Sequence, residues 1–358
     1  MKRAYINAVA GAVPGHDVHN AYIEWAARRI ADPRERELFD RMAERSGISH
    51  RWSVLPPTAK GGSPVAEGGF YGGAVPTTAA RMQIYAKAAP ELALDAIGKL
   101  ASQVALAGVT HLVVASCTGF VAPGVDQIIA AALGLEDAER TLIGFMGCYA
   151  AAAAMRNAHH IVRSTPEARV LVVTVELSTL HLQAADRLEP LLAELQFGDG
   201  AAAALVTAEP QGLGIVAPFT ASLPQSDELI RWTIGDAGFE MVLSGEVPGR
   251  IGAALQDDRV RERVLNGWAP GEVDAWAVHA GGRSILDAVE RSLGLAPDSL
   301  AASRKVLADY GNMSSSTLMF VLRDLLAQGG DLPAPKKGVA IAFGPGLAAE
   351  GFRFERAA

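Results

Sequence analysis

The feature that most constrains the fold is a weak internal repeat. In the first half, Leu112–Cys117 reads as a strand that ends at a polar site. Gly147-Cys148 then opens an Ala-rich helix, and Phe197-Gly198-Asp199-Gly200-Ala201-Ala202-Ala203 follows. In the second half, Ala275–His279 is again a strand with a polar end. Gly311-Asn312 opens a Ser-rich helical run, and Phe343-Gly344-Pro345-Gly346-Leu347-Ala348-Ala349 completes the set. A duplicated α/β unit with a join near Glu209–Gly212 accounts for this, and its pseudo-twofold axis would bring Cys148 and Asn312 face to face. A chance match between two generic α/β units would look similar.

Val/Ile-rich runs support the α/β reading. His111–Ser116, Arg169–Val175 and Gly338–Phe343 read as buried central strands, and Pro90–Gly108 and Ser284–Leu293 as amphipathic helices. A chain of 358 residues is long enough for two such halves, and 50% hydrophobic with 20% charged residues suits a soluble globular protein. The net charge of −7 argues against general nucleic-acid binding, so a polyanionic substrate would need a local basic patch. No leader peptide or membrane-length apolar run is apparent, and two cysteines without paired ligand spacing predict neither a disulfide framework nor a metal site. A reducing cytoplasm is the expected setting.

Three residues carry the chemistry. Cys148 follows a turn glycine at an expected strand-to-helix junction, where helix-end charge favours thiolate. A buried structural cysteine is the plainer alternative. His279 ends an apolar strand and is followed by Ala280-Gly281-Gly282, which leaves room for close substrate approach. His159 and His160, on a helix, read instead as solvated or structural. Asn312 alone would be a turn or helix cap; paired with Cys148 by the repeat, it becomes a neutral amide donor. A thiol, an imidazole and a carboxamide together suit acyl transfer, with the latter two holding a developing oxyanion or enolate.

These segments, with Val247-Pro248-Gly249, Tyr310-Gly311-Asn312-Met313-Ser314-Ser315 and Phe343-Gly344-Pro345-Gly346, resemble the type III polyketide synthases, the chalcone synthase-like branch of the thiolase-fold condensing enzymes. The resemblance covers nearly the whole chain. It implies a duplicated thiolase fold of αβαβα layers, with a Cys-bearing half over residues 1–210 and a His/Asn-bearing half over 211–358. It implies a homodimer, no cofactor, and no carrier-protein partner. Cys148, ion-paired with His279, would take an acyl group from a starter acyl-CoA. Malonyl-CoA would then decarboxylate, with His279 and Asn312 holding the enolate and Phe197 as an apolar gate. Repeated extension and cyclisation would give a pyrone, resorcinol or phloroglucinol-type product.

The same resemblance places Arg41 and Arg45, within the cluster Arg34, Arg36, Arg41, Arg45 and Arg51, at coenzyme A phosphate positions, although a third basic position is Leu38 here. The interleaved Glu35, Glu37, Asp40 and Glu44 would equally suit a solvated helix face. Gly281 and Gly282 would flank the coenzyme A thioester. Cys117 and Thr118 fall where plant enzymes carry Thr-Ser, with Cys117 read as cavity wall. His181 replaces a cavity threonine, Trp232 a cavity glycine and Met241 a gate phenylalanine. Ser314, Gly344 and Pro345 complete the expected substrate-binding set. An inward Trp232 would reduce cavity volume; an ordinary core tryptophan is the alternative. Two other functions fit the same kit less well: a ketoacyl-carrier-protein synthase III performing one condensation, and a non-catalytic scaffold.

Overall fold

Strands form where the β-branched runs lie because such side chains pack well on a pleated surface covered on both faces. Val170–Leu177 is buried at every position. The computed structural model describes residues 2–223, 226–327 and 337–357. Nine strands hydrogen-bond in the order Ala275–Val278, Lys337–Gly344, Ala348–Arg356, Leu213–Ser222, Ala4–Ala12, Asp199–Thr207, Val170–Leu177, His111–Ser116 and Glu139–Gly144.

That order contains the repeat. Ala4–Ala12 runs antiparallel to Asp199–Thr207, which is antiparallel to Val170–Leu177, which is parallel to His111–Ser116. Leu213–Ser222 begins the same series: antiparallel to Ala348–Arg356, then antiparallel to Lys337–Gly344, then parallel to Ala275–Val278. The two series join through the pairs Ala4–Ile215, Tyr5–Gly214 and Ile6–Leu213. The first half carries one further strand, Glu139–Gly144, whose outer edge is unpaired among the described residues.

Between the halves lie two helices, Ala150–Ser164 and Ser315–Ala327, packed in one core with strand residues of both. Ala150–Ala154 and Ser315–Thr317 are all buried, and these small residues let helix and sheet approach closely. Thr78–Ala101 and Val125–Leu133 cover the outer face of the first half. Val247–Gln256, Asp258–Leu265 and Arg283–Leu293 cover that of the second. The layers are therefore αβαβα.

One helix differs from expectation. Instead of Pro90–Gly108, it runs from Thr78 to Ala101, capped by the Thr77 hydroxyl accepting from Ala80 N–H, with Pro90 buried inside it. Reading Pro90 as a start was reasonable, because proline suits a first turn. Here the apolar face continues through it, and burial outweighs the missing backbone donor.

Candidate active site

The Glu139–Gly144 strand does not run straight into its helix. Phe145 (φ 56°) and Gly147 (φ 72°) turn the chain through a short 3-10 segment, Gly147–Tyr149, that carries Cys148 ahead of helix Ala150–Ser164. Gly147 is required on two counts. Its φ is left-handed, and a Cβ there would lie 2.5 Å from Pro345 Cδ. Gly344 is equally close-fitted, since a Cβ would meet Tyr149 Cδ1 at 2.6 Å and the Cys148 nitrogen at 3.4 Å. The Gly344-Pro345 turn of the second half thus closes directly over the nucleophile.

Cys117 and Thr118 stand behind that turn. Cys117 Sγ accepts from Gly147 N–H at 2.9 Å, and its own N–H donates to Glu176 Oε2 at 3.0 Å. Thr118 Oγ1 donates to the same oxygen at 2.9 Å, while Ser315 Oγ donates to the other, Glu176 Oε1. Burial pushes the Glu176 carboxyl up to about 7, against the pull of those donors. Glu176 ties the strand behind Cys148 to the helix behind Asn312, and it was missed in the sequence. Its only signal is an acid inside the apolar run Val170–Leu177.

Asn312 is fixed through its backbone and its side chain. Gly311 (φ 67°) precedes it; Asn312 N–H donates to Gln196 O at 2.7 Å, and Gly198 N–H donates to Asn312 O at 3.0 Å. This bridge sets buried Phe197 beside Asn312. Asn312 Oδ1 accepts from Ser314 N–H at 2.8 Å, and Nδ2, the donor end, donates to Gly281 O at 3.3 Å. The amide and the Ser314 hydroxyl also hydrogen-bond Cys148. Ser314 holds φ 47°, backbone strain located at the site itself.

His279 follows strand Ala275–Val278, its N–H held by Ile341 O at 2.8 Å. The ring is buried, and neither nitrogen has a partner among the described residues. Gly281 and Gly282 leave the needed space: a Cβ at Gly281 would lie 3.4 Å from His279 Nε2, and one at Gly282 2.1 Å from Gln196 Oε1. Burial pushes the imidazole down to about 3 and the Cys148 thiol up to about 11, the latter rise eased by hydrogen bonds from Ser314 and Asn312 and reinforced by the Glu176 charge. Without mutual contact, both groups are therefore neutral near pH 7. The ionised pair implied by the resemblance has to overcome that burial cost.

A groove of about 990 Å³ approaches from outside, lined among others by Arg45, Ser46, Arg187, Gln196, Pro248 and Arg283. Gln196 belongs both to the groove and to the bridge holding Asn312, so the groove adjoins the site. The expected basic cluster disperses. Arg45 lines the groove, while Arg41 pairs with Glu37 at 3.2 Å on an exposed helix face. Arg36 donates to Ile30 O, and Arg51 is buried, donating to the Glu194 and Phe197 carbonyls. Arg187 and Arg283 join Arg45 in the groove lining. They were missed because each lies far along the chain from the Arg34–Arg51 cluster.

Of the remaining expected positions, His181 is buried and stacked on Phe239, with ring centroids 4.1 Å apart. Trp232 and Met241 pair across a hairpin, Ile230–Gly235 with Gly238–Leu243, that the sequence did not announce. His159 is buried, and burial pushes it down to about 4; His160 is exposed. Among the described residues no group of three or more His, Cys, Asp or Glu could hold a metal, and no helix is long and apolar enough to cross a membrane.

Comparison with known proteins gives the family. The N-terminal domain of chalcone and stilbene synthases matches residues 2–210, and the C-terminal domain matches 215–356. The chain is 36% identical to the bisdemethoxycurcumin synthase of Oryza sativa subsp. japonica over 335 residues, covering 87% of this chain and 81% of the relative. It is 33% identical to the alpha-pyrone synthesis polyketide synthase-like Pks18 of Mycobacterium tuberculosis over 371 residues, 98% and 91% of the two chains. Among solved structures, PKS-I of the brown alga Ectocarpus siliculosus superposes with a TM-score of 0.85 at 28% identity, covering 99% of each chain. The type III polyketide synthase domain of Steely1 from Dictyostelium gives 0.86 at 25% identity, covering 99% and 100%. Fold, relatives and matched domains agree: the chain belongs to the chalcone and stilbene synthase family, the type III polyketide synthases, and is an acyltransferase.

Proposed function

We propose that the chain condenses a starter acyl-CoA with malonyl-CoA repeatedly, without a carrier protein, using Cys148, His279 and Asn312. The observation that carries this reading is the unpartnered imidazole of His279, buried two residues from the Gly281 carbonyl that meets Asn312 Nδ2. A buried polar group left unpaired costs about 1–3 kcal/mol, which a thioester oxygen between imidazole and amide would offset.

In the first step Cys148 Sγ attacks the starter carbonyl, His279 takes the thiol proton, and coenzyme A leaves as the thiol with that proton. Malonyl-CoA then loses carbon dioxide. The electron pair of the broken carbon–carbon bond passes to the thioester enolate, whose oxygen accepts from His279 Nε2–H and Asn312 Nδ2–H. The enolate carbon attacks the Cys148-bound acyl carbon and expels the sulfur, so the extended chain returns to coenzyme A and can reload. Phe197, apolar and buried beside Asn312, disfavours the malonyl carboxylate and so favours its loss.

Arg45, Arg187 and Arg283 would hold the coenzyme A phosphates at the groove mouth, a basic patch on an acidic chain. Trp232, Met241, Ser314, Gly344 and Pro345 would bound the acyl cavity, with His181 behind them and Cys117 and Thr118 in support. Exposed Leu142 lies on the open edge strand, and Phe120 and Phe145, also exposed, pack against each other; this face would be covered by a second copy. Two free thiols suit a reducing cytoplasm. The test is conversion of malonyl-CoA to acetyl-CoA by the purified chain alone. Decarboxylation lost in Asn312→Ala supports the reading, and a strict requirement for a carrier protein contradicts it.

A further inference from the structure

The hairpin carrying Trp232 has one polar atom with nothing to do. His181 next to it is fully engaged. Phe239 N–H donates to His181 Nδ1 at 3.0 Å, so the proton sits on Nε2, which donates to Thr118 O at 2.7 Å. The His181 ring stacks on Phe239 at an interplanar angle of 12°, so both of its nitrogens and one of its faces are taken. Trp232 meets both rings edge-on, 5.9 Å from His181 and 6.1 Å from Phe239. Its indole Nε1–H is buried and has no partner among the described residues.

The neighbours of the Trp232 strand lead to the nucleophile. Strand Ile230–Gly235 packs against the Pro345–Leu347 turn on one side, and Pro345 is the residue that abuts Gly147. On the other side His181 is bonded to Thr118, next in sequence to Cys117, whose sulfur holds Gly147 N–H. The strand carrying Trp232 therefore lies between two elements that both converge on the turn carrying Cys148. An indole nitrogen donates and cannot accept, so the group that completes it is an acceptor, for which a carbonyl oxygen is well suited.

We propose that Trp232 Nε1–H binds a ketone oxygen of the chain held on Cys148, so that the cavity selects β-oxo acyl groups over saturated ones of equal length. The proposal rests on the reading that acyl chains are carried on Cys148. It adds a chemical preference to what would otherwise be only a limit on volume.

The test compares acetoacetyl-CoA with butyryl-CoA, equal in carbon count and differing in the ketone, as substrates for Cys148 acylation and malonyl extension. In the wild type, kcat/KM for acetoacetyl-CoA is expected to exceed that for butyryl-CoA by about tenfold, the worth of one buried hydrogen bond. Trp232→Phe keeps an aromatic ring and removes the donor. It should bring the acetoacetyl-CoA to butyryl-CoA ratio of kcat/KM from about tenfold to about one, since a changed cavity volume acts on both substrates alike, and an unchanged melting temperature shows that the variant is folded. Absence of a preference in the wild type overturns the proposal, as does a preference that survives in Trp232→Phe. Failure of the underlying reading looks different: neither substrate would acylate Cys148.

Discussion

The two central helices begin in parallel ways and deliver very different groups. Ahead of Ala150–Ser164, left-handed Phe145 and Gly147 present Cys148; ahead of Ser315–Ala327, left-handed Gly311 and Ser314 present Asn312. The amide is pinned by Gln196 O, Gly198 N–H, Ser314 N–H and Gly281 O. The half-buried thiol has its turn held from behind by Cys117 and from above by Pro345, and is itself held by the movable Ser314 hydroxyl and the Asn312 amide. A donor that must meet an enolate oxygen benefits from rigidity. A nucleophile that must be acylated, relieved and acylated again benefits from room. Duplication supplied the two positions, and local packing gave them different surroundings.

Substitutions can break this contrast, beginning with the strongest. Cys148→Ala should abolish condensation, a fall of at least about 10³-fold, while acetyl-CoA still forms from malonyl-CoA, because decarboxylation needs only the pinned side. Asn312→Ala should cut decarboxylation by about 10²–10³-fold, the usual loss for one oxyanion donor, with melting temperature little changed. His279→Ala tests the thiol's own balance. Burial pushes Cys148 up to about 11, and at pH 7 such a thiol is ionised on the order of one part in 10⁴. With His279 present to take the proton, iodoacetamide should inactivate the enzyme readily near neutrality. In His279→Ala the rate should instead keep climbing toward about pH 11, and an unchanged profile would show that the imidazole does not assist the sulfur.

Two weaker effects sharpen the comparison. Gly147→Ala forces a Cβ onto Pro345 at a left-handed φ, at a cost of about 1–3 kcal/mol, read as a lower melting temperature and slower acylation. Cys117→Ser should change least. Its hydroxyl can still accept from Gly147 N–H, so acylation should stay within about tenfold of wild type.

Much of this was legible in the chain because the relevant signals are local. Gly147-Cys148, Gly311-Asn312 and the Phe-Gly pairs mark sharp turns, and buried strands such as Val170–Leu177 read directly as apolar runs. The groove did not read, since Arg45, Arg187 and Arg283 meet only after the chain folds. Arg51 misled for the converse reason. It lies in a stretch with the exposed Arg34, Arg36, Arg41 and Arg45, while its neighbours in space are Tyr22, His19 and the Phe197 carbonyl. Glu176 was hidden by its apolar strand, and the Trp232 hairpin by weak alternation.

The central claim is iterative condensation on Cys148, and product mass spectrometry tests it most directly. The purified chain would receive malonyl-CoA and a panel of acyl-CoA starters, beside Cys148→Ala. The account predicts products at least two malonyl units longer than their starter, absent from the variant. Single-extension products only, or none without a carrier protein, would contradict it.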